Sequence, residues 1–303
     1  MAKTSVIVPA RNERNLVRTV DNLLTNATGD IEIIIILDGR TKFEIPAENA
    51  RITIIPHSNP QGKSVSINQG AAIAKGKYLM FVDAHCSVCP GYDEILQADC
   101  DDNWVVIPRY YMLESKTLTL KNYRPLDYFY LAVSWSDPEP VIQSDGWMRR
   151  TLERQNGLSH IDETMSIPGS LTFMTAEHFH TRLGGLAAPA IGTDSTSDWL
   201  DVIMKTWLGG GRVMVNKNAW YGHMNAPPTR GYTVNQENIK RDYVQASRYW
   251  LENRWEGRQF DFDWIVDRFW PLPTAATKMR SEKYIWPEDW HDDYERMQWR
   301  KPV

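Results

Sequence analysis

In GKYLMFVDAHCSV, residues 76–88, an apolar run from Tyr78 to Val82 meets Asp83, Ala84 and His85 without any transition. In an extended chain, positions two apart point to the same side. Asp83 and His85 can therefore converge on one ligand. A strand that merely runs out into solvent would also end in polar residues. The local pattern leaves both readings open, and the residues around it supply the frame.

Before it, strand and helix signals alternate. SVIVPA (5–10) is a short β-branched run. In 13–26, Leu16, Val20, Leu23 and Leu24 share one helical face. IEIIIILD (31–38) is nearly continuous isoleucine, as expected of a strand buried on both faces of a parallel sheet. RITIIPH (51–57) predicts another strand, 64–76 a helix stopped by glycine, and 77–83 a fourth strand. This alternation predicts an α/β fold with a mostly parallel sheet flanked by helices. Such sheets bind ligands beyond the carboxyl ends of their strands. Three ends are polar: Pro9-Ala10-Arg11-Asn12-Glu13, Asp38-Gly39-Arg40 and Asp83-Ala84-His85. The expected site lies there.

Composition narrows the class. The 303 residues suffice for one large α/β domain, or for a domain with an extension. With 34 basic and 38 acidic residues the net charge is −4, so no global basic field advertises nucleic acid. Cys86 and Cys89 are spaced C-x-x-C, but the only other cysteine is Cys100, so a zinc site lacks a second pair of ligands. Free thiols are the plainer reading. The start, MAKTSVIVPARNE, has too short an apolar run for a signal peptide, and no segment reaches the ~18 apolar residues of a membrane span. A soluble protein of the cytoplasm, or of the host cytoplasm if viral, is expected. Gly62-Lys63-Ser64 imitates a phosphate-binding loop, but His57 stands where that motif requires glycine. Lys63 can still meet a phosphate as a single charge.

Farther along, 104–113 and 212–224 predict strands, the latter ending at His223, and 198–208 predicts an amphipathic helix closed by three glycines. SIPGSLTFMTAEHF (166–179) predicts a strand and a helix start. The aromatic stretch LDYFYLAVSW (126–135) is either core or the wall of a cleft. Residues 235–255 predict a helix, with Ile239, Tyr243, Ala246 and Trp250 at helical spacing. The expected division is a catalytic domain over 1–235 and a helical, Trp-rich extension over 236–303. The tail tryptophans Trp264, Trp270, Trp286, Trp290 and Trp299 read as anchors on the domain surface, or as a stacking platform for bases or sugars.

Taken together, SVIVPARNE, GKYLMFVDAH, DAHCSVCPGYDEIL (83–96), DWLDVIMKTWLGGGRVMVNKNAWYGHM (198–224) and NIKRDYVQASRYW (238–250) resemble the GT-A glycosyltransferases. More narrowly they resemble the polypeptide N-acetylgalactosaminyltransferases, over about residues 3–250. The resemblance implies a GT-A fold and an enzyme that moves a sugar (GalNAc, GlcNAc or a related hexose) from a UDP-sugar to a hydroxyl. It implies that Asp83, His85 and His223 ligate a divalent cation, Mn²⁺ or Mg²⁺, that bridges the donor's phosphates. One carboxylate with two imidazoles suits manganese better than calcium. It further implies donor contacts from Pro9, Arg11, Asn12 and Glu13, from Asp38 at the uracil or ribose, and from Lys63, Asn68 and Ala84. Arg230 and Tyr232 would belong to a lid over the diphosphate.

Inverting relatives carry their general base at a position that is Trp199 here, between Asp198 and Asp201. Retention is therefore expected, with Asp198 or Asp201 as the alternative base. The membrane anchor and lectin domain of eukaryotic members are not seen, and residues 104–165 match loosely. The acceptor is thus open between a protein Ser or Thr, a hydroxymethylated pyrimidine in DNA and a glycan. For DNA, Arg109, Lys116, Lys121, Arg124, Arg149, Arg150 and Arg154 would have to form a basic groove. A nucleotide-sugar-binding module without catalysis is the non-enzyme alternative.

Overall fold

The computed structural model describes residues 3–273, except 116, 123, 137–138, 155–156, 158, 187–196 and 226–230. Along the chain run β1 (Thr4–Ala10), α1 (Leu16–Asn26), β2 (Ile31–Leu37), β3 (Ile52–Pro56), α2 (Lys63–Ile73), β4 (Tyr78–Val82), β5 (Cys86–Val88) and α3 (Tyr92–Ala98). Then come β6 (Trp104–Met112), β7 (Phe129–Ser136), β8 (Glu139–Gly146), α4 (Met148–Arg154), β9 (Ile161–Glu163) and β10 (Leu171–Thr175). After a π-helical turn at His178–Arg182 follow α5 (Asp198–Leu208), β11 (Arg212–His223), α6 (Gln236–Leu251) and α7 (Phe262–Phe269). No described helix is long and apolar enough to cross a membrane.

Nine strands form one sheet in the order β3-β2-β1-β4-β10-β6-β11-β5, with β9 beside β11. The expected parallel half is present: β3, β2, β1 and β4 pair in parallel. The other half is mixed. β10 runs antiparallel to both β4 and β6, β6 and β11 are parallel, and β5 and β9 are antiparallel to β11. The isoleucine run explains the first half. Ile33 to Ile36 alternate between faces, yet all are at most 1% exposed, so both faces are covered. Each such side chain contributes roughly 1.5–3 kcal/mol of burial. The amphipathic α1 buries Leu16, Thr19, Val20 and Leu23 as its spacing predicts.

The aromatic stretch after 126 forms β7, which pairs with β8 as a separate two-stranded sheet. Tyr128, Leu131 and Ala132 are buried, so it is core rather than an open cleft wall. Helix α6 lies on this hairpin, where Ser247 Oγ accepts the Ile142 backbone N–H at 2.7 Å. Asn235 caps α6 by accepting from the Glu237 and Asn238 amides. Of the tail tryptophans, Trp264 stacks on Phe260 at 4.1 Å and neighbours the buried Trp207. This is the anchoring reading. Trp270 is 41% exposed, and Trp286, Trp290 and Trp299 lie outside the described residues.

Where β10 turns into α5's layer, His178 is 1% exposed. Its Nε2 meets Thr206 Oγ1 at 3.1 Å, while its Nδ1 has no partner among the described residues. Burial, helped by the Arg182 charge, pushes the imidazole down from 6.5 to about 4. The folded state therefore refuses a proton that the unfolded chain accepts. Stability is full above pH 6.5 and falls as pH drops toward about 4. That linkage is worth about 3 kcal/mol. We expect the stability difference between the parent protein and His178→Leu, from urea unfolding, to change by that amount between pH 7 and pH 4. A difference that stays constant with pH would contradict the assignment.

Candidate functional site

Two strand junctions meet at one point. Strand β4 is buried along its whole length and ends at Val82. Asp83, Ala84 and His85 turn the chain into β5, where Cys86 pairs antiparallel with His223. The Met224 backbone N–H donates to the His85 carbonyl at 3.3 Å, which ties the two segments together. The pairing needs a bare backbone before His223. A Cβ on Gly222 would run into the side chains of Leu113 and Leu120.

The result is a compact cluster. One ligand atom from each of Asp83, His85 and His223 lies within 4.8 Å of the others. His85 Nε2 and His223 Nε2 face each other at 3.0 Å, and Asp83 Oδ2 is 3.9 and 3.4 Å from them. The outer nitrogens are held by oxygens. His85 Nδ1 is 3.1 Å from Glu13 Oε2, and His223 Nδ1 is 2.8 Å from Asn225 Oδ1. An ionised carboxylate and an amide oxygen only accept, so each Nδ1 carries the proton and each Nε2 turns a lone pair inward. Three converging donor atoms with oriented imidazoles are the chemistry of a divalent-cation site.

The other Asp83 oxygen meets a cation of the chain itself. Lys63 Nζ is 3.0 Å from Asp83 Oδ1, 3.3 Å from Asp198 Oδ2 and 2.9 Å from the Gly169 carbonyl. Lys63 begins α2 and Asp198 begins α5, so two helix starts converge here. Gly169 presents its carbonyl from a backbone with φ of 76°, close against Trp199. Burial works against the Lys63 charge, yet the Asp198 and Asp83 carboxylates hold its ammonium above the usual range. Burial likewise opposes ionisation of Asp83, but the Lys63 charge holds it below the carboxylate range. At Asp198 burial wins over Lys63, and the carboxyl sits higher than usual. The walls continue through Pro9, Ser170, Leu186 and Trp199.

The remaining expected residues divide. Pro9 and Ala84 lie in or beside this pocket, Ala84 being buried. Arg11 stacks over the Tyr232 ring at 4.4 Å, joining the end of β1 to the loop after β11. Asn12 extends that junction: its side chain donates to the Gly231 carbonyl and accepts from the Lys42 amide at 2.8 Å. Asp38 is 4% exposed, and its oxygens accept from His57 Nδ1 at 3.0 Å and from the Gln61 and Gly62 amides. It holds the approach to α2. Asn68 is bonded to the Leu186 backbone N–H and carbonyl, both at 2.9 Å. Asp201 forms an ion pair with Lys205 at 2.9 Å, one turn along α5 from Asp198. Arg230 lies outside the described residues.

Sequence reasoning missed two participants and one role. Asn225 and Gly169 carry no local signal. The bridging role of Lys63 needs α2 and α5 to be placed against β4. Cys86 and Cys89 are buried free thiols, and Cys100 is a half-buried one.

The Lys63 bridge makes a direct prediction. Lys63→Met leaves two largely buried carboxylates without their cation, and should cost about 3–5 kcal/mol in urea unfolding. Adding Asp198→Asn should recover a substantial part. Two single variants whose effects simply add would show that the three groups do not form one unit.

Residues 5–155 match the model of glycosyl transferase family 2. The chain is 23% identical over 330 aligned positions, 96% of its length, to a putative polypeptide N-acetylgalactosaminyltransferase 13 of Drosophila melanogaster, covering 55% of that protein. It is 36% identical over 118 residues to the uncharacterized glycosyltransferase YibD of Escherichia coli (strain K12), 34% of each chain. Among solved structures it is similar to GalNAc-T7, crystallised with UDP, GalNAc and Mn²⁺. The TM-score is 0.62 and the identity 19%, over 83% of this chain and 49% of that one. The chain thus spans about half the length of the two larger relatives.

Proposed function

We propose, from the match of residues 5–155 to glycosyl transferase family 2 and from the GT-A-like fold, that the chain transfers a hexose from a UDP-sugar to a hydroxyl acceptor, with retention of configuration. The observation that carries the reading is the cluster of His85 Nε2, His223 Nε2 and Asp83 Oδ2, all facing one point. These residues would hold a divalent cation, Mn²⁺ or Mg²⁺, which when bound supplies positive charge against the diphosphate as it leaves. The donor is read as a UDP-sugar of GalNAc, GlcNAc or a related hexose.

The chain's own groups do the rest of the work. Lys63 keeps Asp83 ionised and adds a fixed positive charge beside it. Arg11 and Tyr232, stacked on each other at the end of β1, would contact the nucleotide. In the transfer, the bond from the anomeric carbon to the diphosphate oxygen breaks and one to the acceptor oxygen forms. The acceptor's proton passes to the departing diphosphate. Two features support retention. By resemblance, Trp199 stands where inverting relatives carry their base, and it packs against Gly169; the flanking carboxylates are engaged, Asp198 by Lys63 and Asp201 by Lys205.

A protein Ser or Thr is the acceptor we favour, on the similarity to a polypeptide N-acetylgalactosaminyltransferase along 96% of the chain. Four of the seven basic residues that a DNA groove would need are engaged elsewhere. Arg109 is forked onto Asp127, Arg154 pairs with Asp162 and Arg149 with Glu153. Arg150 lies over the Tyr128 and Trp147 rings.

The test is thermal unfolding with UDP, GDP, CDP and TDP, each with and without Mn²⁺. Binding to the folded state raises the melting temperature by mass action, by an amount set by ligand concentration over Kd. We expect a rise with UDP that requires Mn²⁺ and disappears in His85→Ala and His223→Ala. No response to any nucleotide with metal would remove the donor site. Product formed from a UDP-sugar should keep the donor's anomeric configuration by NMR, and an inverted product would overturn the stereochemical reading. UDP binding without product on any acceptor would mark a binding module.

A further inference from the structure

Glu13 lies in the short bend between β1 and α1, and both its oxygens are used. Oε1 accepts the Asn15 backbone N–H at 3.1 Å, and Oε2 faces His85 Nδ1 at 3.1 Å. The side chains of Glu13 and His85 are only 15% and 18% exposed. The bend itself is fixed by its neighbour. Asn12 has a φ of 46°, and its side chain is tied on one side to the Lys42 amide and on the other to the Gly231 carbonyl. Asparagine tolerates this left-handed conformation better than most residues.

We infer that Glu13 is a positioning residue for the metal ligand His85 rather than a contact to the nucleotide; this rests on the divalent-cation reading of the site. Strands β1 and β4 are parallel neighbours, so the residue after one carboxyl end reaches the residue after the other. The carboxylate fixes the proton on Nδ1, turns the ring so that Nε2 faces Asp83 and His223, and makes that nitrogen a better electron-pair donor. His223 receives a weaker version of the same support, because Asn225 is neutral and exposed. The two imidazoles are therefore unequal, and the one backed by a carboxylate dominates affinity. With both oxygens engaged in the protein, Glu13 has little left to offer a ribose or a base.

The test is Mn²⁺ binding without nucleotide, followed on the full chain by the electron paramagnetic resonance signal of free Mn²⁺. Glu13→Gln keeps the shape and an acceptor for Asn15 but removes the charge. It should bind Mn²⁺ about 10-fold more weakly, and Glu13→Ala up to about 100-fold more weakly. UDP affinity at saturating Mn²⁺ should be unchanged in both. Melting temperatures report folding, and Glu13→Gln alone decides if the alanine variant does not fold. Unchanged Mn²⁺ affinity in Glu13→Gln would overturn the inference, most directly if UDP binding at saturating Mn²⁺ is weakened instead. His85→Ala separates the two levels. Unchanged Mn²⁺ affinity there would overturn the cation site together with this inference. Lost affinity there, with the Glu13 variants unaffected, would overturn this inference alone.

Discussion

The two oxygens of Asp83 face opposite worlds, and the site is organised around that division. One oxygen takes Lys63 at 3.0 Å, and the other looks toward the imidazoles of His85 and His223. Without Lys63, a carboxylate 21% exposed would stand beside the 8%-exposed carboxylate of Asp198. Like charges at such separation in a low-dielectric setting are costly, and one would take up a proton. The lysine removes that conflict. Asp83 stays ionised, while Asp198, deeper and less well compensated, is pushed toward its neutral form. A donor atom for a cation is thereby kept in its charged state by the fold.

That arrangement constrains the elements that make it. Lys63 must begin α2, Asp198 must begin α5, and both starts must reach the end of β4. The sheet order provides this by placing β1 and β10 on either side of β4. Strand β11 is the second requirement. It is long, with a register break between Asn216 and Trp220, and its end pairs with β5 beside His85. The break lets one strand serve β9 and the first part of β6 at one end, and the Asp83, His85 and His223 cluster at the other. The α6 and α7 region contributes differently. Trp250, Phe262, Ile265 and Phe269 share one apolar core with the sheet, and Trp207 of α5 packs on Phe269, so these helices support α5 from behind.

The amino-acid sequence determined much of this by itself, because burial leaves a periodic record. The isoleucine run of β2, the spacing of α1 and the polar strand ends placed the parallel half of the sheet and the side on which a site lies. Asp83 and His85 were legible as a pair, since residues two apart on an extended chain share a side. His223 was linked to them only through a resemblance of motifs. Other features are pairings between segments far apart in the chain, which leave no period to read. The antiparallel insertion of β10, the hairpin of β7 and β8, and the meeting of His223 with His85 across 138 residues are of that kind. The same holds for the roles of individual side chains. Asp38 and Asn68 looked available to a ligand, but the fold occupies them with the His57–Gly62 approach and the Leu186 backbone. Glu13 and Lys63 read as nucleotide contacts, and tertiary structure set them against His85 and between Asp83 and Asp198. Local sequence fixes which groups a strand end presents; which partner each group meets depends on the neighbouring strands and helices, and only the folded sheet supplies those.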